Sequence, residues 1–92
     1  MAFRKILSHS HWHSQARYAA EDEQEIQMVN CSRLGQLAWI TTDDDTIPDL
    51  SPYEAAKVAV GEQGSLVLKP GERLWLAYPS LGPDTANVTL QY

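Results

Sequence analysis

The chain is predicted to be mainly β: a small antiparallel β-sandwich or barrel, jelly-roll-like, with one short helix near residues 52–59. Three observations predict it. Short segments of alternating apolar and polar residues recur at roughly ten-residue spacing, the pattern of strands with one face in a core and one in water. Clusters of Gly, Pro, Asp and Ser punctuate them, as turns require. The composition, 43% hydrophobic and 21% charged over 92 residues, is that of one globular domain, near the small end of what folds alone.

Taken in order, Ala2–Leu7 forms a first strand, with Phe3, Lys5 and Leu7 on one side and Arg4 and Ile6 on the other. Both sides carry an apolar residue, so its orientation is open. In His11–Ala19, Trp12, Ala16 and Tyr18 alternate against His11, His13, Gln15 and Arg17, the period of a half-buried strand. An acidic turn at Glu21–Gln24 leads to Glu25–Cys31, where Ile26 and Met28 oppose Glu25 and Gln27. Ser32–Gly35 reads as a loop and Gln36–Thr42 as a strand rich in β-formers. Asp43-Asp44-Asp45 breaks that strand with charge. Ser51-Pro52-Tyr53-Glu54 then has the form of a helix start: Ser at the cap, Pro at the first helical position, Glu three residues after the cap. The expectation is a helix over Pro52–Ala59 ended by Gly61; the competing reading makes Lys57–Val60 a strand.

The stretch Ser65–Tyr78 is expected to be the centre of the fold. Leu66–Leu68 and Leu74–Tyr78 flank Lys69-Pro70-Gly71-Glu72. Pro70 presets φ for the second position of a turn, and Gly71 can take the positive φ of the third position of type II. Apolar arms on both sides read as a β-hairpin; because a two-residue type II loop would splay strands that twist right-handedly, a longer loop or a bulge is expected and the register is open. Leu66, Leu68, Leu74, Trp75 and Leu76 on these arms, with Trp39, are the expected core anchors. After a turn-rich loop at Pro79–Asp84, Ala86–Tyr92 alternates cleanly, with Ala86, Val88, Leu90 and Tyr92 against Asn87, Thr89 and Gln91. A terminal strand this regular is expected to be zipped into a sheet.

Several function classes have little support. A net charge of −5, with seven Lys and Arg spread through the chain, argues against nucleic-acid binding, which needs clustered basic residues. No apolar run approaches the roughly 20 residues that span a bilayer, and Ile6-Leu7 after Arg4-Lys5 makes no signal peptide. The one cysteine, Cys31, cannot pair internally and fits assembly in a reducing cytosol. Without a secretion signal, the sequons at Asn30 and Asn87 read as chance.

His9, His11 and His13 are the candidate metal residues: at period 2 they would share one strand face, where imidazoles could share an ion. The bland reading, preferred here, is a wet face shared with Gln15 and Arg17 while Trp12 packs inward; no cofactor is expected. Asp43–Asp45 lacks the alternating ligands, central Gly and terminal Glu of a calcium loop and reads as a solvated turn. Gly61-Glu62-Gln63-Gly64 lacks the Lys-Ser/Thr of a phosphate loop. Cys31 carries no nucleophile signature, so no catalytic residue is expected.

In sequence, these elements resemble a known group. A Met-Ala-Phe-Arg start, a strand ending in Asn30, the Leu37-Ala38-Trp39-Ile40 strand, the Leu66–Leu76 segment with its Pro-Gly-Glu turn and the final Ala86-x-Val88-x-Leu90 are similar to the small β-sandwich proteins of tailed bacteriophages. Those proteins decorate capsids or form minor head and tail parts. The departures are the HSHWH segment and the capped stretch at Ser51–Ala59. The resemblance implies a non-enzymatic virion protein, assembled in the host cytoplasm as a homo-oligomer, with other virion proteins as partners and neither nucleic acid nor membrane. The rival is a small acidic phage-encoded inhibitor or adaptor of a host protein.

Overall fold

The computed structural model describes residues 3–30, 35–81 and 86–92. Eight strands run in order: β1 (Phe3–Ser8), β2 (Arg17–Ala19), β3 (Gln24–Val29), β4 (Leu37–Thr42), β5 (Ala56–Val58), β6 (Gln63–Leu68), β7 (Arg73–Ala77) and β8 (Ala86–Gln91). They make two antiparallel sheets, ordered β1-β8-β3-β6 and β2-β7-β4-β5. This is jelly-roll topology, and its logic is a folded ribbon. β1 pairs with β8, β2 with β7, β3 with β6 and β4 with β5. Lateral pairs β3–β8 and β4–β7 then close each sheet.

The corners where the ribbon crosses between sheets keep their pairing. At one corner Gly71 N–H donates to Ala20 O, at a second Tyr78 N–H donates to His9 O, and at a third Gly61 N–H donates to Asn30 O. The third corner is reinforced from inside. Asn30 is fully buried; its amide nitrogen donates to Gly35 O (3.0 Å) and Val58 O (2.9 Å), and its oxygen accepts from the Tyr78 hydroxyl (3.0 Å). One side chain thereby ties the β3–β4 connection to the end of β5 and to the connection after β7, and its polar atoms are matched as burial demands.

The main core lies between the sheets. Ile26, Met28, Val88 and Leu90 from the first sheet meet Leu37, Leu74, Leu76 and Tyr78 from the second. The alternation in β3 and β8 therefore points as the sequence reading expects. β1, left open there, turns Ile6 and Ser8 inward and leaves Phe3 and Leu7 exposed. Gly64 on β6 faces β5, and a Cβ there would lie 2.7 Å from a Val58 methyl, so the approach of these strands requires glycine.

The structure corrects three expectations. First, Leu66–Leu68 and Leu74–Tyr78 are not a hairpin. The turn itself is present: Glu72 N–H donates to Lys69 O (3.0 Å), and Gly71 has φ +84°. However, β6 and β7 belong to different sheets, so the turn is a corner between layers. That removes the conflict between a type II turn and hairpin twist, because the flanking strands never pair. Leu68, Leu74, Trp75 and Leu76 are buried as expected; Trp39 and Leu66 are half-buried against the core.

Second, no helix forms over 52–59. Ser51 does organise a turn, with its hydroxyl accepting from Tyr53 N–H (3.2 Å) and its carbonyl from Glu54 N–H (2.9 Å). The chain then enters β5, whose Ala56, Lys57 and Val58 pair with Trp39, Ala38 and Leu37. So short a helix has no stability of its own, and sheet pairing with burial of Ala55 and Val58 prevails. Third, β2 begins only at Arg17, and 11–16 is a connection. Cys31, the Ser32–Leu34 part of the predicted loop and Gly82–Asp84 of the turn-rich loop lie outside the described residues; Pro79–Leu81 forms a single 3₁₀ turn.

Candidate functional site

The two outer faces of the sandwich differ in construction. On the outside of the second sheet, Ala38 and Ala77 sit opposite each other, and their small side chains make room for two indoles. Trp75, fully buried, and Trp12, carried by the connection between β1 and β2, pack there with Ala55 into a second cluster flanked by Ile40. Trp12 Nε1 donates to Leu50 O (2.7 Å) and Trp75 Nε1 to Thr42 Oγ1 (2.8 Å), so each ring uses its one polar atom. The connection 43–55 runs over this cluster as a cover. Asp45 pins its start, bonded to Arg73 (2.9 Å) and near Arg17 (3.5 Å), whose guanidinium lies over the Trp75 ring. The predicted solvated turn at Asp43–Asp45 is thus a partly paired one.

The cover presents three large apolar side chains to water: Ile47 (56% exposed), Leu50 (40%) and Tyr53 (65%). The segment that carries them is anchored from beneath at two points. Leu50 carries the carbonyl gripped by Trp12, and the Tyr53 hydroxyl donates to Pro79 O (2.9 Å). Asp43, Asp44, Asp49 and Glu54, all exposed, surround them in sequence.

The outside of the first sheet carries no cover among the described residues. Register places Phe3, Gln91, Gln27 and Ser65 opposite one another across its four strands. A shallow cleft of about 220 Å³ opens here, lined by Glu25, Gln27, Gln91 and Tyr92. Beneath one end of this sheet Tyr18 is buried, its hydroxyl donating to Gln24 (2.6 Å) and its ring 5.4 Å from that of Tyr92. Burial pushes the Tyr18 phenol above its ordinary 10.0, and the neighbouring Tyr92 adds to this.

The histidine segment lies on the corner between β1 and β2, not on a strand face. His9 and His13 stack with ring centroids 4.4 Å apart, while His11 is exposed. His13 Nδ1 accepts from Gln15 N–H (3.0 Å). Among the described residues no group of three or more His, Cys, Asp or Glu converges as a metal cage would require.

Sequence reasoning ranked His9, His11 and His13 first and missed both outer faces. The signal for the covered face was present in Leu74–Tyr78, apolar at every position, which is what a strand buried on both faces looks like. Nothing local marked Gln27 and Gln91 as neighbours, since β3 and β8 meet only through the long-range register. No family model, curated protein or solved structure matches this chain.

Proposed function

We propose that this chain is a non-enzymatic structural component of a tailed-bacteriophage particle, a capsid decoration or minor head or tail protein. It assembles in the host cytoplasm as a symmetric homo-oligomer and seats on other virion proteins. The observation that carries the reading is the cover of the second sheet. Ile47, Leu50 and Tyr53 stand exposed within seven residues, on a segment tied down by Trp12, Asp45 and the Tyr53 hydroxyl. Apolar side chains on a segment anchored before binding spare the complex the cost of ordering that backbone, as preorganised interface anchors do. The sequence resemblance supplies the kind of particle, and the jelly roll is a fold that virion proteins use.

Attachment of this kind rests on apolar contact and persists in about 1 M salt, where screening acts within about 3 Å. The test is mass spectrometry of purified, salt-washed particles of the phage that encodes the chain. The chain is expected in them, and an Ile47→Ser/Leu50→Ser variant, still folded by circular dichroism, is expected to be lost from them. Absence of the unaltered chain from particles, with free chain in infected-cell lysate, would overturn the reading. The exposed carboxylates of the same cover favour the second reading, an acidic inhibitor or adaptor seated on a basic host surface, which salt would release.

A further inference from the structure

We propose that the outer face of the β1-β8-β3-β6 sheet is a binding site for neutral carbohydrate. The proposal does not rest on the virion reading and uses the opposite face of the molecule. Its basis is the row Phe3, Gln91, Gln27, Ser65, one outward residue from each strand of the sheet. At about 4.8 Å per strand the row spans roughly 14 Å, the scale of a short oligosaccharide and not of a single ion. Glu25, one outward position before Gln27 on β3, and Tyr92 complete the lining of the cleft.

The chemistry selects the ligand. A carboxamide offers two donors and an acceptor in one plane, which matches a pair of adjacent sugar hydroxyls, each both donor and acceptor. Two such amides stand side by side here, half-buried, and neither side chain has a hydrogen-bond partner among the described residues. Glu25 adds an acceptor-only carboxylate for a further hydroxyl. Phe3, 63% exposed at the end of the row, offers an aromatic face to the C–H face of a pyranose. Charge argues against anions. Among its side chains the cleft lining holds one carboxylate and no cation, and Lys5, the cation among the outward strand positions of this face, lies opposite Thr89 in the next row. Phosphate, sulfated and acidic sugars would meet a like charge, whereas a neutral polyol would not.

The experiment is a ¹H–¹⁵N titration of the labelled full chain. The probes are glucose, galactose, mannose and N-acetylglucosamine, the disaccharides cellobiose, lactose and maltose, and glucuronate and inorganic sulfate as acidic controls. The side-chain NH₂ signals of Gln27 and Gln91 report directly from the cleft. At least one neutral sugar is expected to move both saturably, with the acidic probes weaker. Gln27→Ala and Gln91→Ala, each removing a surface amide, are expected to weaken binding about tenfold while leaving the rest of the spectrum in place. Three outcomes would each overturn the proposal: no saturable movement of these signals with any neutral sugar, equal response to sulfate, or unchanged binding by the Gln27→Ala/Gln91→Ala double variant.

Discussion

The two sheets share a core but differ on their outer faces, and the difference shows how a small chain allots its apolar residues. The β2-β7-β4-β5 sheet is buried on both sides along β7 and at Leu37 and Ala38 of β4, by the main core within and by Trp12, Ala55 and the 43–55 cover without, while its edge strands expose Ala19, Ala56 and Lys57. The β1-β8-β3-β6 sheet is buried on one side and wet on the other. Two inner strands, β7 and β8, carry the mark of the difference. β7 reads Leu-Trp-Leu-Ala after Arg73, apolar throughout, whereas β8 alternates Val88 and Leu90 with Thr89 and Gln91. The cover closes much of one sheet to contacts; single burial leaves the other with an uncovered face on which polar residues stand beside exposed Phe3, Leu7 and Val67.

The largest test of that contrast is Trp75→Ala. Removing the floor of the covered face should cost about 3–5 kcal/mol in denaturant unfolding, whereas Thr89→Ala, outward on the bare face, should stay within about 0.5 kcal/mol. Equal losses would mean that the cover does not protect its sheet. Next is Gly71→Val, at the corner that carries the chain from one sheet to the other. A Cβ at Gly71 meets nothing within 4 Å, so the expected loss of about 1–3 kcal/mol is backbone strain alone. A change near zero would remove the left-handed conformation.

A smaller effect is expected from Trp12→Phe, which keeps an aromatic ring but removes the bond to Leu50 O. The global loss should be about 1 kcal/mol, and faster hydrogen exchange should be confined to the second sheet and its cover. Acceleration spread over β3 and β8 would show that the two faces open together. The smallest effect is on pH dependence. Because the folded Tyr18 phenol titrates above 10.0, its contribution is complete below that pH and is lost as pH rises through the folded value. Ultraviolet titration of the folded chain should contain a phenol ionising above 10.0, and Tyr18→Phe should remove that component.

The sequence was most informative where one residue's surroundings are local. Alternation placed Ile26, Met28, Val88 and Leu90 inward, and Pro70-Gly71 named the turn and its positive φ. It was least informative about partners. Two apolar runs beside a turn look alike whether they pair with each other or diverge into two layers; here β3 and β2, far away in the chain, are what β6 and β7 pair with. The Ser51 signal was also local and correct for one turn, but edge pairing with β4 decided what followed. The cleft depends wholly on register between strands remote in sequence, so Gln27 and Gln91 carried no mark of it.

The nested ribbon also governs how the molecule comes into being. Its innermost pair, β4 with β5, is three residues long and joined by the whole 43–55 segment, so closing it loses loop entropy before much contact forms. Once that tip exists, each further pair has its neighbours already side by side, and the ribbon can zip outward through its corners to β1–β8. If folding follows this order, closing the tip is the step expected to limit its rate. Such dominance of distant pairing places folding in the range of roughly milliseconds to seconds, to be read by stopped-flow fluorescence of Trp12, Trp39 and Trp75. Refolding within microseconds would mean that the tip forms without that delay.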